Sequence, residues 1–400
     1  MSSRVIPSHG RDGETALEIT PPVRFRSAIL ASALGAAWLL TGACDGRPLS
    51  SLSGGAGGPG ADGGADLPQD GRCGPTPRLL VSASTYPVPA SSGGLAVNVG
   101  ALRVNGAEVY YVIYIVQTDF PSMPYLAGSV MRVPAGGGQP TQVATGYVFE
   151  PPVFTPTSVI LGEGNAYPNT GQMIIVSVPF DGGPPTTLAT LTDGDSLLGD
   201  PVTDGTFVYF VDRGGVQAIS LASASAGTAP MTLTSEVPSN IGIFATRLVM
   251  TFPQGSVESI PLPPGAAGMV TTLATGLPPG AKDLMSCGSN ACWLAGDSAL
   301  EELSPMGGPT TTIATLTGPL ASVLNVVFDG TSFFVVGDAD YPATTDNIET
   351  IPGNGGSPVV VVSTPSLGAG AIAVDDECVY WSSSKGIFSL AKTARGQRSQ

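Results

Sequence analysis

The chain has 400 residues, carries a formal net charge of −15 and is only 12% charged, yet it contains 54 glycines and 37 prolines. Long amphipathic helices need more charge and far fewer breakers, and an acidic surface repels phosphate backbones, which argues against nucleic-acid partners. The sole histidine, His9, lies upstream of the expected cleavage point, which excludes Ser-His-Asp, Cys-His and His-ligated catalytic zinc chemistry from the mature protein. Carboxylate chemistry, alone or with calcium, survives.

Residues 1–43 read as a secretory signal peptide. Arg24 and Arg26 precede the apolar stretch from Ala28 to Leu40, and Leu40-Thr41-Gly42-Ala43 runs directly into Cys44. About 13 apolar residues are too few for a bilayer span, which takes about 20. Asp12, Glu14 and Glu18 fall where a signal should be basic, which suggests a true start near Val23. The small residues ahead of Cys44 resemble the bacterial lipobox, with Thr41 in place of its usual leucine. That resemblance implies a lipidated Cys44 as first mature residue, in an exported, membrane-anchored lipoprotein facing the periplasm or the cell surface. Residues 44–76 follow as a Gly/Ser/Pro-rich flexible linker. Residues 77–393 form the folded domain, and residues 394–400 a frayed polar tail. From Cys44 onward, 28 acidic residues face 12 basic ones, an excess that serves solubility.

From Val104 a two-part pattern returns about every 43 residues, the mark of stacked or radial units too small to bury their own cores. The first part is a hairpin: Val104-Asn105-Gly106 then Val109-Tyr110-Tyr111, Val202-Thr203-Asp204-Gly205 then Phe207-Val208-Tyr209-Phe210, and Phe328-Asp329-Gly330 then Phe333-Phe334-Val335. Asn-Gly and Asp-Gly are the strongest short-range hairpin signals, because both central residues must accept positive φ. The second part is a strand ending in proline, a glycine turn and a Thr/Val strand, as in Val176-Ser177-Val178-Pro179-Phe180-Asp181-Gly182-Gly183. Each unit thus supplies strands A to D, with a buried apolar B and an outermost D.

Seven units align this way, the fourth most weakly, which leaves six or eight as alternative counts. The seventh, Cys378-Val379-Tyr380-Trp381 then Ile387-Phe388-Ser389-Leu390, lacks a D strand. Residues 78–83 resemble a D strand with no A, B or C before it. Joining the two ends closes a ring and removes an open sheet edge. The expected fold is therefore all-β, a seven-bladed β-propeller of four-stranded antiparallel blades. With its Tyr/Trp-rich strand, Pro-terminated strand and Gly-Gly-x-Pro-x-x-Leu-Ala turns, the chain resembles YWTD-type and TolB-like propellers, closest to lipid-anchored propeller proteins of Gram-negative bacteria. The YWTD signature survives only as fragments such as Val379-Tyr380-Trp381-Ser382. The resemblance implies an extracytoplasmic binding or scaffolding protein and transfers no site residues.

Besides Cys44 the chain has Cys73, Cys287, Cys292 and Cys378, an even number that suggests disulfides in an exported domain. Cys287 and Cys292 flank the A–B turn of the fifth unit, where Cα atoms roughly 5–6 Å apart allow a bridge. The pair could also be half a metal site, but no second Cys pair and no histidine completes it. Cys378 reads as holding the strand-B position of Cys292. Cys73 precedes the closing strand, so a Cys73–Cys378 bond would lock the ring.

Asp338 and Asp340, with Asp346, could offer oxygen ligands to calcium, as could Asp193 and Asp195 with Asp200, although turn formation already accounts for all of them. Gly162-Glu163-Gly164-Asn165-Ala166-Tyr167 reads as a B–C loop rather than a nucleotide loop. Tyr110, Tyr111, Tyr114, Tyr209, Phe210, Phe333 and Phe334 read as core between blades. Two long B–C connections, Gln117 to Tyr125 and Asp338 to Asn347, are where a binding surface is expected. The first functional expectation is a monomeric, cofactor-free module binding a protein or a glycan at the cell envelope, touching the membrane only through its lipid. The alternative is a His-independent enzyme, a carboxylate- or calcium-dependent hydrolase or lyase, which should hold two carboxylates near the central channel.

Overall fold

The computed structural model describes residues 72–86, 95–117, 125–148, 152–164, 173–191, 200–222, 229–264, 269–278, 281–296, 298–316, 322–338, 345–365 and 370–392. The expected signal peptide, Cys44, Asp193, Asp195, Asp340, the tail 394–400 and the middles of both long B–C connections lie outside the described residues.

Seven four-stranded antiparallel blades form a β-propeller. Blade 1 takes strands A to D from Leu95–Asn105, Glu108–Gln117, Tyr125–Pro134 and Thr141–Val148. The fourth unit, the faintest in sequence, is complete as Asn240–Phe244, Arg247–Thr251, Val257–Pro261 and Thr271–Ala274. Blades 1 and 2 share a ladder where Tyr147 and Val148 pair with Gly164 and Glu163. This pairing corrects the reading of Gly162, Glu163 and Gly164 as loop: they continue strand B of blade 2, Ser158–Gly164. Among the described residues the only helical turn is Ala83–Thr85.

The seventh blade is composite. Ile372–Val374, Cys378–Ser383 and Gly386–Ala391 pair in order, and Arg78–Ser82 adds outside Gly386–Ala391 as strand D. Gly386 lets the closing strand come this near: with φ 133°, a Cβ there would overlap the Val81 carbonyl oxygen. Attachment to the ring begins by Arg72, ahead of the expected domain start at 77. The Arg72 guanidinium lies 3.7 Å from Asp375, the Ala391 N–H donates to the Gly74 carbonyl, and Cys73 is bonded to Cys378 with Cα atoms 6.0 Å apart.

Burial follows from the period of two along each strand B. Successive side chains face opposite neighbours, so each blade-to-blade interface acquires its own apolar cluster, seven among the described residues. Tyr110 packs toward blade 2 and Tyr111 toward blade 7. Tyr209 faces blade 4 while Phe210 faces blade 2, and Phe333 and Phe334 divide between blades 5 and 7. All six rings are buried, as the sequence suggested. For Tyr114 only the backbone is described, within strand B of blade 1.

The A–B turns differ from the expected geometry. In Asn105-Gly106, Asp204-Gly205 and Asp329-Gly330 only the glycine has positive φ, at 60°, 83° and 94°. The acid stands one place earlier, at the first corner, where its carboxylate closes the turn. Asp204 Oδ1 accepts from the N–H groups of Thr206 and Phe207, both at 2.7 Å. Asp329 does the same with Thr331 and Ser332, and Asp375 with Glu377 and Cys378. A side-chain acceptor at the corner explains why Asp recurs there without adopting left-handed backbone.

Candidate functional site

The A strands line a central channel with a cavity of about 820 Å³. Its polar wall has a regular origin. Counting four residues back from the first corner of the A–B turn gives Asp200 in blade 3, Asn240 in blade 4, Asp283 in blade 5 and Asn325 in blade 6. All four line the cavity, and the same count gives Ala101 and Ala371 in blades 1 and 7. Four successive blades therefore present oxygen-bearing side chains toward a wall of alanine.

Arg103, from strand A of blade 1, sends one guanidinium nitrogen to Asp200 at 3.4 Å and another to the Leu102 carbonyl at 2.9 Å. Asn240 donates from Nδ2 to the Ala281 carbonyl at 2.8 Å, which turns its Oδ1 into the remaining acceptor. Asp283 sits in a register irregularity between Lys282 and Met285 and has φ 50°, a left-handed backbone that a non-glycine residue holds at a cost. Burial first, then the charge of Asp200, pushes its carboxyl up to about 6, against the opposing pull of Lys282, Arg103 and the Val326 N–H. Two carboxylates near the channel are what the enzyme alternative required, and Asp200 and Asp283 supply them.

Asp200, grouped in sequence with Asp193 and Asp195, stands on the channel wall, ion-paired to Arg103. Asp283, Asn240 and Asn325 escaped the sequence reading altogether. Their signal, an Asp or Asn four places before the turn in four consecutive units, becomes visible only when the units are aligned on the turn itself. Strand pairing places the backbones of Asp338 and Asp346 opposite each other in blade 6; their side chains, with Asp340, lie outside the described set.

Both cysteine pairs are bonded. Cys287–Cys292 spans the turn with Cα atoms 5.8 Å apart. The Glu302 carboxylate lies beside the two sulfurs, all three donors falling within 4.8 Å of one another, but sulfurs shared in a disulfide are not thiolate ligands. The equivalence drawn between Cys378 and Cys292 needs correction. Cys378 opens its strand B as Asn290 opens that of blade 5, and the residue matching Cys292 is Tyr380.

No protein-family model matches the chain, and no curated protein matches it. Solved structures do. The WD40 β-propeller domain of Doa1 superposes with a TM-score of 0.54 at 12% identity, covering 80% of this chain and 99% of that one. A chain of a mitotic checkpoint complex gives 0.52 at 12% identity over 82% and 97%. BamB from Moraxella catarrhalis gives 0.42 at 13% identity over 78% and 99%. At such identities the first two matches show the fold and nothing finer. The protein is a β-propeller.

Proposed function

We propose that this chain is an exported, lipid-anchored propeller that binds a protein at the cell envelope through the face carrying its B–C connections. The supporting observation is the lengthening of three blades on that face. Strands B and C of blade 1 each run ten residues, those of blade 2 seven each and those of blade 6 seven and eight, against five or six in blades 3, 4, 5 and 7. Because A–B and C–D turns share one face of a ring of antiparallel blades, these extended B–C ends rise from the other. A rigid scaffold with locally extended hairpins is where binding residues concentrate. Two disulfides agree with an oxidising compartment, and the apolar stretch before Cys44 supports export and lipidation. That one propeller of this fold comes from a mitotic checkpoint complex agrees with use in assembly. Photocrosslinking from the blade 1 hairpin in intact cells tests the reading: a defined protein adduct is expected, and a glycan adduct or none overturns it. Cys44→Ala should move the protein from the membrane to the soluble fraction.

The enzyme alternative keeps one observation in its favour, the pair Asp200 and Asp283 on one channel wall. A raised carboxyl with a second carboxyl on the same wall, paired to Arg103, is an acid–base arrangement. Loss of a hydrolytic or lyase activity in both Asp200→Asn and Asp283→Asn would establish it.

A further inference from the structure

The channel wall carries more negative than positive charge. Its polar side chains are the carboxylates of Asp200 and Asp283, the amides of Asn240 and Asn325 and the hydroxyls of Ser239 and Ser286, with Arg103 as the cation of the lining. Arg103 already spends nitrogens on Asp200 and on the Leu102 carbonyl. A polyol would find donors and acceptors here but brings no charge to set against the second carboxylate. A primary ammonium brings that charge and three donors. A cavity of about 820 Å³ is far roomier than a single metal ion needs. The cluster of metal-ligand spacing found among the described residues lies elsewhere, at Cys287, Cys292 and Glu302. Asp283 is the natural anchor, since it lines the cavity with Asn240 one blade to one side and Asn325 one blade to the other, and carries the charge that neither amide has.

We propose that the central channel binds a primary ammonium group, with Asp283 as its anionic partner and Asn240 and Asn325, one blade to either side, as neutral acceptors. The inference deepens the binding-module reading and rests on it. The ammonium belongs either to a lysyl side chain reaching in from a bound protein or to a free polyamine; the chemistry at Asp283 is the same. The small residues opposite, Gly100, Ala101, Gly370 and Ala371, leave the width that an unbranched alkyl stem needs.

Isothermal titration of the full mature protein decides the matter. The probes are spermidine, a Gly/Ser heptapeptide with one central lysine, and the same peptide with norleucine. Saturable one-to-one binding of an amine probe is expected, with none for norleucine. Binding by the lysyl peptide alone points to a partner side chain, and binding by spermidine alone to a free polyamine. Asp283→Asn should weaken the amine by about tenfold or more, the loss of a charge-assisted hydrogen bond. Asp376→Asn, which removes the same charge on the A–B face, should change it less than about twofold, as screening of a remote exposed charge dictates. Asn325→Ala gives a second, milder loss without touching the strained backbone. Failure of both amines to saturate, or equal losses in Asp283→Asn and Asp376→Asn, overturns the proposal. If the amines fail while the blade 1 crosslink still captures its protein, the channel inference falls and the binding-module reading stands.

Discussion

Cys287 and Cys292 are bonded across the A–B turn of blade 5 at the two positions that Asp204 and Tyr209 hold in blade 3. In blade 3 the link is a hydrogen bond, Tyr209 hydroxyl to Asp204 Oδ2 at 2.8 Å, and blade 7 repeats it with Tyr380 and Asp375 at 2.8 Å. In blade 6 the tyrosine is Phe334, and the Lys392 ammonium reaches in from the neighbouring blade to meet Asp329 at 2.6 Å. One structural problem, tying the turn corner to the buried strand B, is solved three ways. In blades 3 and 7 the bond also fixes the tyrosine ring that packs against the next blade.

Interchangeability gives the first prediction. Tyr209→Phe keeps the ring in its apolar cluster but strands the second oxygen of Asp204, and should cost about 1 kcal/mol. Removing the covalent version, Cys287→Ala with Cys292→Ala, should cost about 2 kcal/mol because the closed loop is short. Urea unfolding of both variants checks the order, and a larger loss for Tyr209→Phe would contradict it.

The Cys73–Cys378 bond should weigh more. It closes a loop 305 residues in sequence separation and holds the strand that completes the ring. Cys73→Ala should cost about 3–5 kcal/mol, toward the upper range for disulfides. The separated strand Arg78–Ser82 should then become the first site of limited proteolysis. Cleavage mapping before and after reduction reads both effects.

Strand order and ring closure were legible because both depend on strong local signals: apolar runs, prolines at strand ends and a lone D-type strand far from its blade. Even the weak fourth unit kept Thr271-Thr272-Leu273-Ala274 as its outer strand. Finer register was less legible. Cys378 looked equivalent to Cys292 because both are cysteines on the same face of strand B, yet Cys378 opens its strand while Cys292 lies two residues further in, where blade 7 has Tyr380. The channel wall was hidden for a different reason. Asp200 lies just ahead of the two-residue A strand Val202–Thr203, Asn240 opens a five-residue one, and Asp283 and Asn325 sit at register shifts, all places where turn chemistry already accounts for Asp and Asn. Only the common distance from the turn brings them together.

The Asp329–Lys392 pair predicts a pH effect. Burial acts to raise the Asp329 carboxyl, but the Lys392 ammonium and the N–H groups of Thr331 and Ser332 overcome it and hold it at about 2. A carboxyl lowered on folding contributes stability that is present above its unfolded pKa of about 4 and lost as pH falls through about 2. Both side chains are mostly buried, at 13% and 8% exposure, so stranding one charge is costly. Lys392→Met should lose about 2–4 kcal/mol at pH 7. The gap to wild type should narrow between pH 4 and pH 2 in urea titrations across that range.

Asp283 should show the opposite sign. Its carboxyl is raised to about 6 in the folded protein, so folding favours the protonated form. The associated stability is fully present below the unfolded pKa of about 4 and lost as pH rises through about 6. Asp283→Asn removes the charge, keeps an oxygen for the Val326 N–H and suits φ 50° at least as well. The variant should be more stable than wild type by about 1–2 kcal/mol at pH 7.5, after discounting a two-unit shift for partial exposure. The two should converge below about pH 4, where Asp283 is protonated in both folded and unfolded chains. A residue that destabilises the fold at neutral pH while lining the channel cavity fits selection for binding rather than for packing. Thermal melts of the pair at pH 7.5, 6, 5 and 4 test this, and a variant less stable than wild type at pH 7.5 would show that the Asp283 charge supports the ring.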